Sequence, residues 1–528
     1  MITAKFKGVC LEAWDLLALA LIVLGLFLVS AFSLPLPSVV CAQDIGVMLD
    51  AGWRFYQGQQ THVDYRSPLG PLFAMLFGVP FLLFGPDYSS LRFLPVAVSA
   101  LVGLWALLIV RKIVPQPVAF VSAVGIGLFA GGIFHPGFAY QALTFATFYN
   151  RVAFGLLSIV TLCCLLPRDD MGGMRKKLTD LSAGIAAGCL LFLKANFFVL
   201  AAVPLGLSLL LFKRSASSYV YLAVGCAGVF LLIGASIGFR LDLMWQDISM
   251  AAIAREGVAA KLFFYPTRNF LANWDYFAVA VVISAVLLIA AGQSREPRKA
   301  IVVALSVYWV PTLMGFAITL MQSHGDGRSF PTMLAGGAAA CSWLAREKVI
   351  RPVVFYTVMV GVILQGAILS APHLGAYGFL SSLKTENFLG SFDFKPLRAW
   401  RVGAFNSYGE DFVPLLNEGA SLVAANTDSK SSLQYIDFAN NINLALHKRS
   451  PKGAMLWWDN GSTYSAKSFP SQQSFEDTDY VLIPTTRAIQ PLDAWFAIYG
   501  EFLQANYEEA ARSANFLLLR KKGHSTGG

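Results

Sequence analysis

Hydrophobic residues in this chain fall in long unbroken runs, at about 16–34, 68–85, 92–110, 117–134, 151–167, 180–193, 197–212, 218–238, 274–292, 300–320, 331–345 and 353–371. Many come near the roughly 20 residues an α-helix needs to cross the hydrocarbon core of a bilayer. A run that is apolar all round has no face to offer to water, so the pattern predicts a bundle of membrane-spanning helices. The first run lacks a small-residue cleavage site followed by a soluble mature domain, and is expected to stay in the protein as a signal anchor.

After about residue 371 the pattern changes to short runs separated by Gly, Asn, Asp and Ser. Ser421 to Ala425, Tyr480 to Ile483 and Phe516 to Leu519 read as strands, and Leu433 to Leu446 and Pro491 to Gln504 as helices. The expected organisation is a membrane domain over 1–371 and a small α/β domain over 372–528, outside the membrane.

Composition agrees with the hydrophobic pattern. Of 528 residues, 56% are hydrophobic and only 13% charged, against roughly 25% charged in a soluble domain. The net charge of +9 comes in compact clusters between apolar runs, at Arg111-Lys112, Arg175 to Lys177, Lys213-Arg214, Arg295 to Lys299 and Arg346 to Arg351. Short basic connectors belong in the cytoplasm, and nothing resembles a basic stripe for nucleic acid. Seven cysteines, none after residue 371, form neither a disulfide framework nor a zinc motif. No metal or cofactor is called for, which leaves the role of a divalent ion open.

With the N-terminus held inside by Lys5 and Lys7, the basic connectors alternate correctly only if one early segment does not cross. Ser67 to Gly85, with Pro68, Pro71 and Pro80, is the candidate, because proline and glycine weaken a simple spanning helix. The reading gives about eleven spans. It leaves outside the regions 36–91, 135–150, the Lys194-Ala195-Asn196 turn, 239–273, Gln322 to Ser329 and the tail.

Chemistry on that side must come from these connectors. Over Gln43 to Tyr56 the apolar side chains gather on one helical face with Asp44 in its middle; an N-cap role also suits Asp44. Asp50 and Arg54 fall on the opposite face at i,i+4 spacing, where an exposed ion pair is worth a few tenths of a kcal/mol. Lys194 sits in a short turn between two apolar runs, where a cation must snorkel to the interface or find a partner. His324 and Arg328 share a glycine-containing loop. Arg255 and Arg268 lie among Trp245, Phe263, Phe264, Tyr265 and Trp274, a set that suits an interfacial belt or sugar stacking.

Asp44-Ile45, the amphipathic stretch after it, Gly58, Val63-Asp64-Tyr65 and Ser67-Pro68-Leu69-Gly70-Pro71 together resemble the first extracytoplasmic loop of GT-C glycosyltransferases, especially the protein O-mannosyltransferase and lipid A aminoarabinose transferase group. Leu193-Lys194 is similar to that family's Thr-Lys or Ala-Lys position, and Tyr149-Asn150-Arg151 falls where the family often has an acidic residue. Two departures stand out: Ile45 replaces the second acid of the family's pair, and Asn150 is an amide. The similarity covers roughly residues 10–345, and the tail brings no motif.

The resemblance implies a polytopic α-helical membrane protein of GT-C type that moves a sugar from a polyprenyl-phosphate-linked donor to an extracytoplasmic glycan, lipid or protein acceptor. It implies a bacterial inner membrane location, with the N-terminus cytoplasmic. Such chemistry needs a carboxylate base near the interface and cations for the leaving phosphate. Asp44 is then the expected base, and Asp64, Asn150, Arg151, Lys194, Arg255, Arg268, His324 and Arg328 the expected substrate-binding residues. Two other readings stay open. A transporter or flippase of a lipid-linked glycan would also use intramembrane charges, and an O-antigen-ligase-like enzyme would rely on basic loop residues and need no carboxylate at position 44.

Overall fold

The structure, a computed structural model, describes residues 42–132, 148–169, 171–212, 214–255, 274–320, 330–346, 412–486 and 492–523, with parts of 17–25 and 267–271 and two short paired strands at 386–388 and 397–399. The first expected span is described only in part, and the last, 353–371, lies outside these residues.

Helix α1 (Ala42–Tyr56) leads through a turn to α2 (Pro71–Phe84). Pro71 opens α2 where its missing N–H would have had no helical partner. Fourteen residues at about 1.5 Å each give roughly 21 Å, short of the roughly 30 Å hydrocarbon core. Gly85, at φ 92, ends the helix, and Asp87 caps the 3-10 turn Tyr88–Phe93 by accepting from Ser89 N at 2.7 Å.

The bundle follows as α3 (Leu94–Val110), α4 (Gln116–Gly131), α5 (Phe148–Leu165), α6 (Gly173–Leu193), α7 (Ala195–Leu211) and α8 (Ala216–Ser236). After α9 (Leu241–Ala254) come α10 (Trp274–Gly292), α11 (Pro297–Leu320) and α12 (Phe330–Arg346). Among the described residues Tyr88–Val110, Phe148–Leu165, Ala216–Ser236 and Pro297–Leu320 are long and apolar enough to cross a membrane. Helix α5 is the central one, buried along nearly its whole length. Leucines point outward from the peripheral helices, with Leu210 85% and Leu232 77% exposed. Lipid tails are as apolar as leucine, so close backbone packing has to hold such helices together. Helices α6 and α8 achieve it with facing glycines: a Cβ at Gly184 would strike the Leu222 carbonyl, and one at Gly225 the Leu181 carbonyl.

The basic connectors gather at one end of the bundle. Asp180, 1% exposed, pairs with Arg168 and, at 3.2 Å, with Arg214. Arg214 also donates to the Cys164 carbonyl (3.0 Å), Arg175 to the Ile109 carbonyl (3.0 Å), and Arg346 pairs with Asp169 (3.0 Å). Lys194 follows α6 at its other end, 21 residues or roughly 31 Å along the axis.

Residues 412–523 form an α/β unit. Helix α13 (Phe412–Asn426) precedes β3 (Leu433–Tyr435), the short α14 (Ile442–Ala445), β4 (Tyr480–Pro484), α15 (Asp493–Asn506), β5 (Tyr507–Arg512) and β6 (Phe516–Lys521); β1 (Glu386–Phe388) and β2 (Leu397–Ala399) are the separate antiparallel pair. The sheet order is β3-β4-β6-β5, with β3 parallel to β4 and the other pairs antiparallel. Strand β4 is apolar and buried throughout, as a central strand should be. Edge strand β5 turns Glu508, Glu509 and Arg512 outward, which discourages pairing with another chain. Trp495, Tyr499 and Leu503 form the buried stripe of α15 against Trp458 and Phe475.

Two expectations for the tail are corrected. Ser421 to Ala425 is the end of α13, whose apolar residues Leu415, Leu416, Ala420 and Val423 recur at helical spacing. Leu433 to Leu446 holds a three-residue strand and one short helical turn, because Asn440 and Asn443 spend their side chains on the Leu433 carbonyl, each at 2.9 Å.

Candidate active site

Helix α1 is buried on every face from Ile45 to Arg54, which corrects the reading of Asp50 and Arg54 as an exposed pair. They are 0% and 1% exposed, with Arg54 Nε donating to Asp50 Oδ2 at 2.9 Å. Arg54 also donates to Gln59 Oε1 and the Pro451 carbonyl, each at 3.0 Å, and lies 5.0 Å from the Tyr65 ring centroid. Ser450 Oγ donates to Asp50 Oδ1 at 3.3 Å. Burial pushes the Asp50 carboxyl above its ordinary range, while Arg54 and the Ser450 hydroxyl pull it down. The polar face that helical periodicity assigned to solvent is covered by the C-terminal unit, which the local pattern could not reveal.

The same unit clasps the loop after α1. Trp53 Nε1 donates to the Lys448 carbonyl (2.9 Å), Arg66 N to the Ala454 carbonyl (3.0 Å) and Leu456 N to the Arg66 carbonyl (3.0 Å). Asp64 belongs to this clasp. It accepts from Gln60 N at 2.8 Å, pairs with Lys452 at 2.9 Å, and its carbonyl accepts from Gly453 N at 2.6 Å. Asp44 stands in the first turn of α1, half-buried, where the unsatisfied N–H groups of a helix start favour a carboxylate.

Helix α2 joins α1 to the start of α5. Gly52 of α1 lies against the Phe77 carbonyl, where a Cβ would approach to 2.9 Å. On α2, the Phe73 ring meets Tyr149 edge-on at 5.3 Å. Tyr149 and Asn150 then meet Lys194: its ammonium donates to Asn150 Oδ1 at 2.8 Å and lies 5.3 Å from the Tyr149 centroid and 5.7 Å from that of Phe197. An amide oxygen and aromatic faces fix where an ammonium points. Buried Arg151, one residue on, donates to the Gly132 carbonyl.

The proline-rich turn seats against this lysine. Gly70 N donates to the Leu193 carbonyl at 3.4 Å, and a Cβ at Gly70 would run into the Phe192 carbonyl. Only glycine lets the two backbones approach so closely. Three separate stretches, 67–71, 149–151 and 193–194, thus meet at one end of the bundle.

Arg255 is elsewhere: exposed at the end of α9, it donates to the Ser462 carbonyl (3.2 Å) and hydroxyl (3.1 Å) of the C-terminal unit. Trp245 and Trp274, 70% and 63% exposed, face outward. Arg268, His324 and Arg328 lie outside the described residues.

One constellation escaped the sequence reading. Asp247 of α9, 1% exposed, accepts from Arg66 at 3.0 Å on Oδ1 and from Ser67 N at 3.0 Å on Oδ2, and its Oδ2 lies 2.8 Å from His62 Nδ1. The available signal was three polar residues, His62, Arg66 and Ser67, crowded into one short loop, with an acid set between Met244 and Met250 on the inward stripe of a helix.

No family model and no curated protein matches the sequence. Solved structures similar to the chain include ArnT from Cupriavidus metallidurans in the apo state, at 13% identity and TM-score 0.42, covering 96% of this chain and 98% of that one. The same protein bound to undecaprenyl phosphate aligns at 13% identity and TM-score 0.40 over 98% and 99%. The apo oligosaccharyltransferase of Archaeoglobus fulgidus aligns at 14% identity and TM-score 0.36, over 90% of this chain and 70% of that one. These likenesses are loose, and the functional reading rests on the residues of this chain.

Proposed function

We propose that the protein is a GT-C-type membrane glycosyltransferase that moves a sugar from a polyprenyl-phosphate-linked donor to an extracytoplasmic acceptor. The observation that carries the reading is the meeting of the Ser67–Pro71 turn, the Asn150 site and Lys194 at one end of the bundle. These stretches were singled out separately in the sequence, and a phosphate-binding cation would sit where they converge. In this reading about eleven helices cross the membrane and α2 lies at the outer face. The Arg168, Arg175, Arg214 and Arg346 end faces the cytoplasm of a bacterial inner membrane, and the unit within 372–528 stands outside.

Lys194 takes the donor phosphate. Asn150 orients the lysine, and Arg151 braces the start of α5 from within. Asp44 accepts the proton of the acceptor hydroxyl as the anomeric carbon leaves its lipid phosphate. Asp64 ties the loop to the C-terminal unit, and Arg255 holds α9 to the same unit. Arg268, His324 and Arg328 complete the cationic lining from the other outer connectors.

The test is transfer from a polyprenyl-phosphate sugar by purified protein in nanodiscs. Asp44→Asn keeps the shape of the side chain but cannot accept a proton, and general-base loss typically lowers the rate about 10²- to 10⁴-fold. Lys194→Gln should raise the donor KM. Wild-type turnover by Asp44→Asn would show that the base lies elsewhere.

A further inference from the structure

We propose that Asp247 is a positioning residue for the donor-phosphate site: from α9 it holds the 62–67 turn, and through Gly70 it sets where Lys194 and Asn150 stand. The identity of the ligand rests on the glycosyltransferase reading above, while the positioning rests on geometry alone.

Met244, Asp247 and Met250 follow one another at three-residue spacing on the buried stripe of α9. Met244 belongs to the apolar cluster of Phe192 and Val229 in the bundle, and Met250 to that of Met455 and Trp458 in the C-terminal unit. Asp247 lies between them and faces the first loop. Its carboxylate can only accept, so Nδ1 is the ring nitrogen that donates to it. The ring's Nε2 is buried without a hydrogen-bond partner among the described residues. His62 also holds φ at 69°, a left-handed conformation in which His, Asn and Asp are enriched among non-glycine residues. An orphan ring nitrogen and a left-handed histidine are both unfavourable by themselves; such features persist where surrounding contacts over-determine them.

From Asp247 the path to the lysine is short and stiff. Ser67, whose N–H the carboxylate holds, donates through Oγ to the Leu69 carbonyl (2.9 Å) and accepts from Leu69 N (3.1 Å). Pro68 and Pro71 restrict φ on either side. Gly70 then rests on the Phe192–Leu193 backbone, and Lys194 is the next residue. Release of the 62–67 turn has no slack in which to dissipate before it reaches Lys194. Asp247 is itself sealed from solvent and touches protein groups, so it acts through the turn.

The experiment compares Asp247→Ala, His62→Asn and His62→Gly in the full-length protein in nanodiscs. Amide exchange is followed at Ser67, Leu69, Gly70 and 194–197, with β4 as internal control, alongside kcat and donor KM for a polyprenyl-phosphate sugar. Asp247→Ala should speed exchange at both sites about tenfold while β4 stays protected. Its donor KM should rise about tenfold with kcat within about threefold. His62→Asn, which tolerates the left-handed backbone and places an amide N–H at the Nδ1 position, should behave like wild type. His62→Gly, which keeps only the backbone freedom, should follow Asp247→Ala. The proposal is overturned if exchange rises equally in β4, if 194–197 does not respond, if kcat falls with KM unmoved, or if glycine rescues as well as asparagine. A wild-type protein without transfer activity would sink the glycosyltransferase reading instead, and exchange would still decide the positioning.

Discussion

The buried Asp50–Arg54 pair offers the sharpest quantitative test, because its two readings differ about tenfold in energy. As an exposed i,i+4 pair it would contribute roughly 0.2–0.5 kcal/mol. With both side chains at 1% exposure or less, Asp50→Ala strands the Arg54 guanidinium in the interior, and breaking a buried pair from one side costs about 3–5 kcal/mol. Arg54 keeps the Gln59 and Pro451 oxygens, which places the expectation near the lower end, about 3 kcal/mol. Loss of the Asp50 acceptor also removes one of the bonds that tie Ser450 to α1, so the 448–453 segment should loosen with it. Reversible unfolding in mixed micelles reads the energy. Trypsin reads the segment, since Lys448 is 3% exposed and should become a cleavage site in the variant. The double variant Asp50→Leu/Arg54→Met, which removes both charges, should recover most of the stability. A loss of about 0.5 kcal/mol or less in Asp50→Ala, with Lys448 still protected, would refute the argument that burial makes this pair matter.

Gly70→Ala should disrupt folding or donor binding even though it adds only one methyl, because the Cβ meets the rigid Phe192 carbonyl; normal yield and donor KM would mean the two backbones can part. In a cysteine-free background, a membrane-impermeant maleimide should label Cys introduced at Gln60 and Lys467 of intact cells but not at Gly172, and labelling at Gly172 would reverse the orientation. Against the opposing effect of burial, the Arg449 guanidinium and the Lys452 N–H hold the Asp477 carboxyl below its ordinary range. A depressed folded-state pKa contributes stability that is present above the unfolded value, about 3.9, and lost as pH falls through the folded one. Protection of 449–453 from exchange should therefore weaken in acid below that value, and Asp477→Asn should remove that pH dependence; an unchanged profile would show that another carboxylate controls the segment.

What sequence alone determined was set by local, repetitive physics. Runs without a polar face announced helices for lipid, strand β4 and helix α15 showed through their own periodicities, and the isolated oddities, Lys194 between two apolar runs and the proline-rich turn, marked positions that do meet. Tertiary structure decided what those positions face. The polar side of α1 looks solvent-exposed until the C-terminal unit, some 400 residues away, covers it. Asp64 and Arg255 stand out in the sequence as charges in outer connectors, and the structure adds that Lys452 and Ser462 are their partners. Asp247, on an unremarkable stripe between two methionines, becomes legible only when His62, Arg66 and Ser67 arrive from 180 or more residues upstream. The burial of a charge and the identity of its partner depend on contacts between distant parts of the chain, and periodicity within one helix carries no record of them.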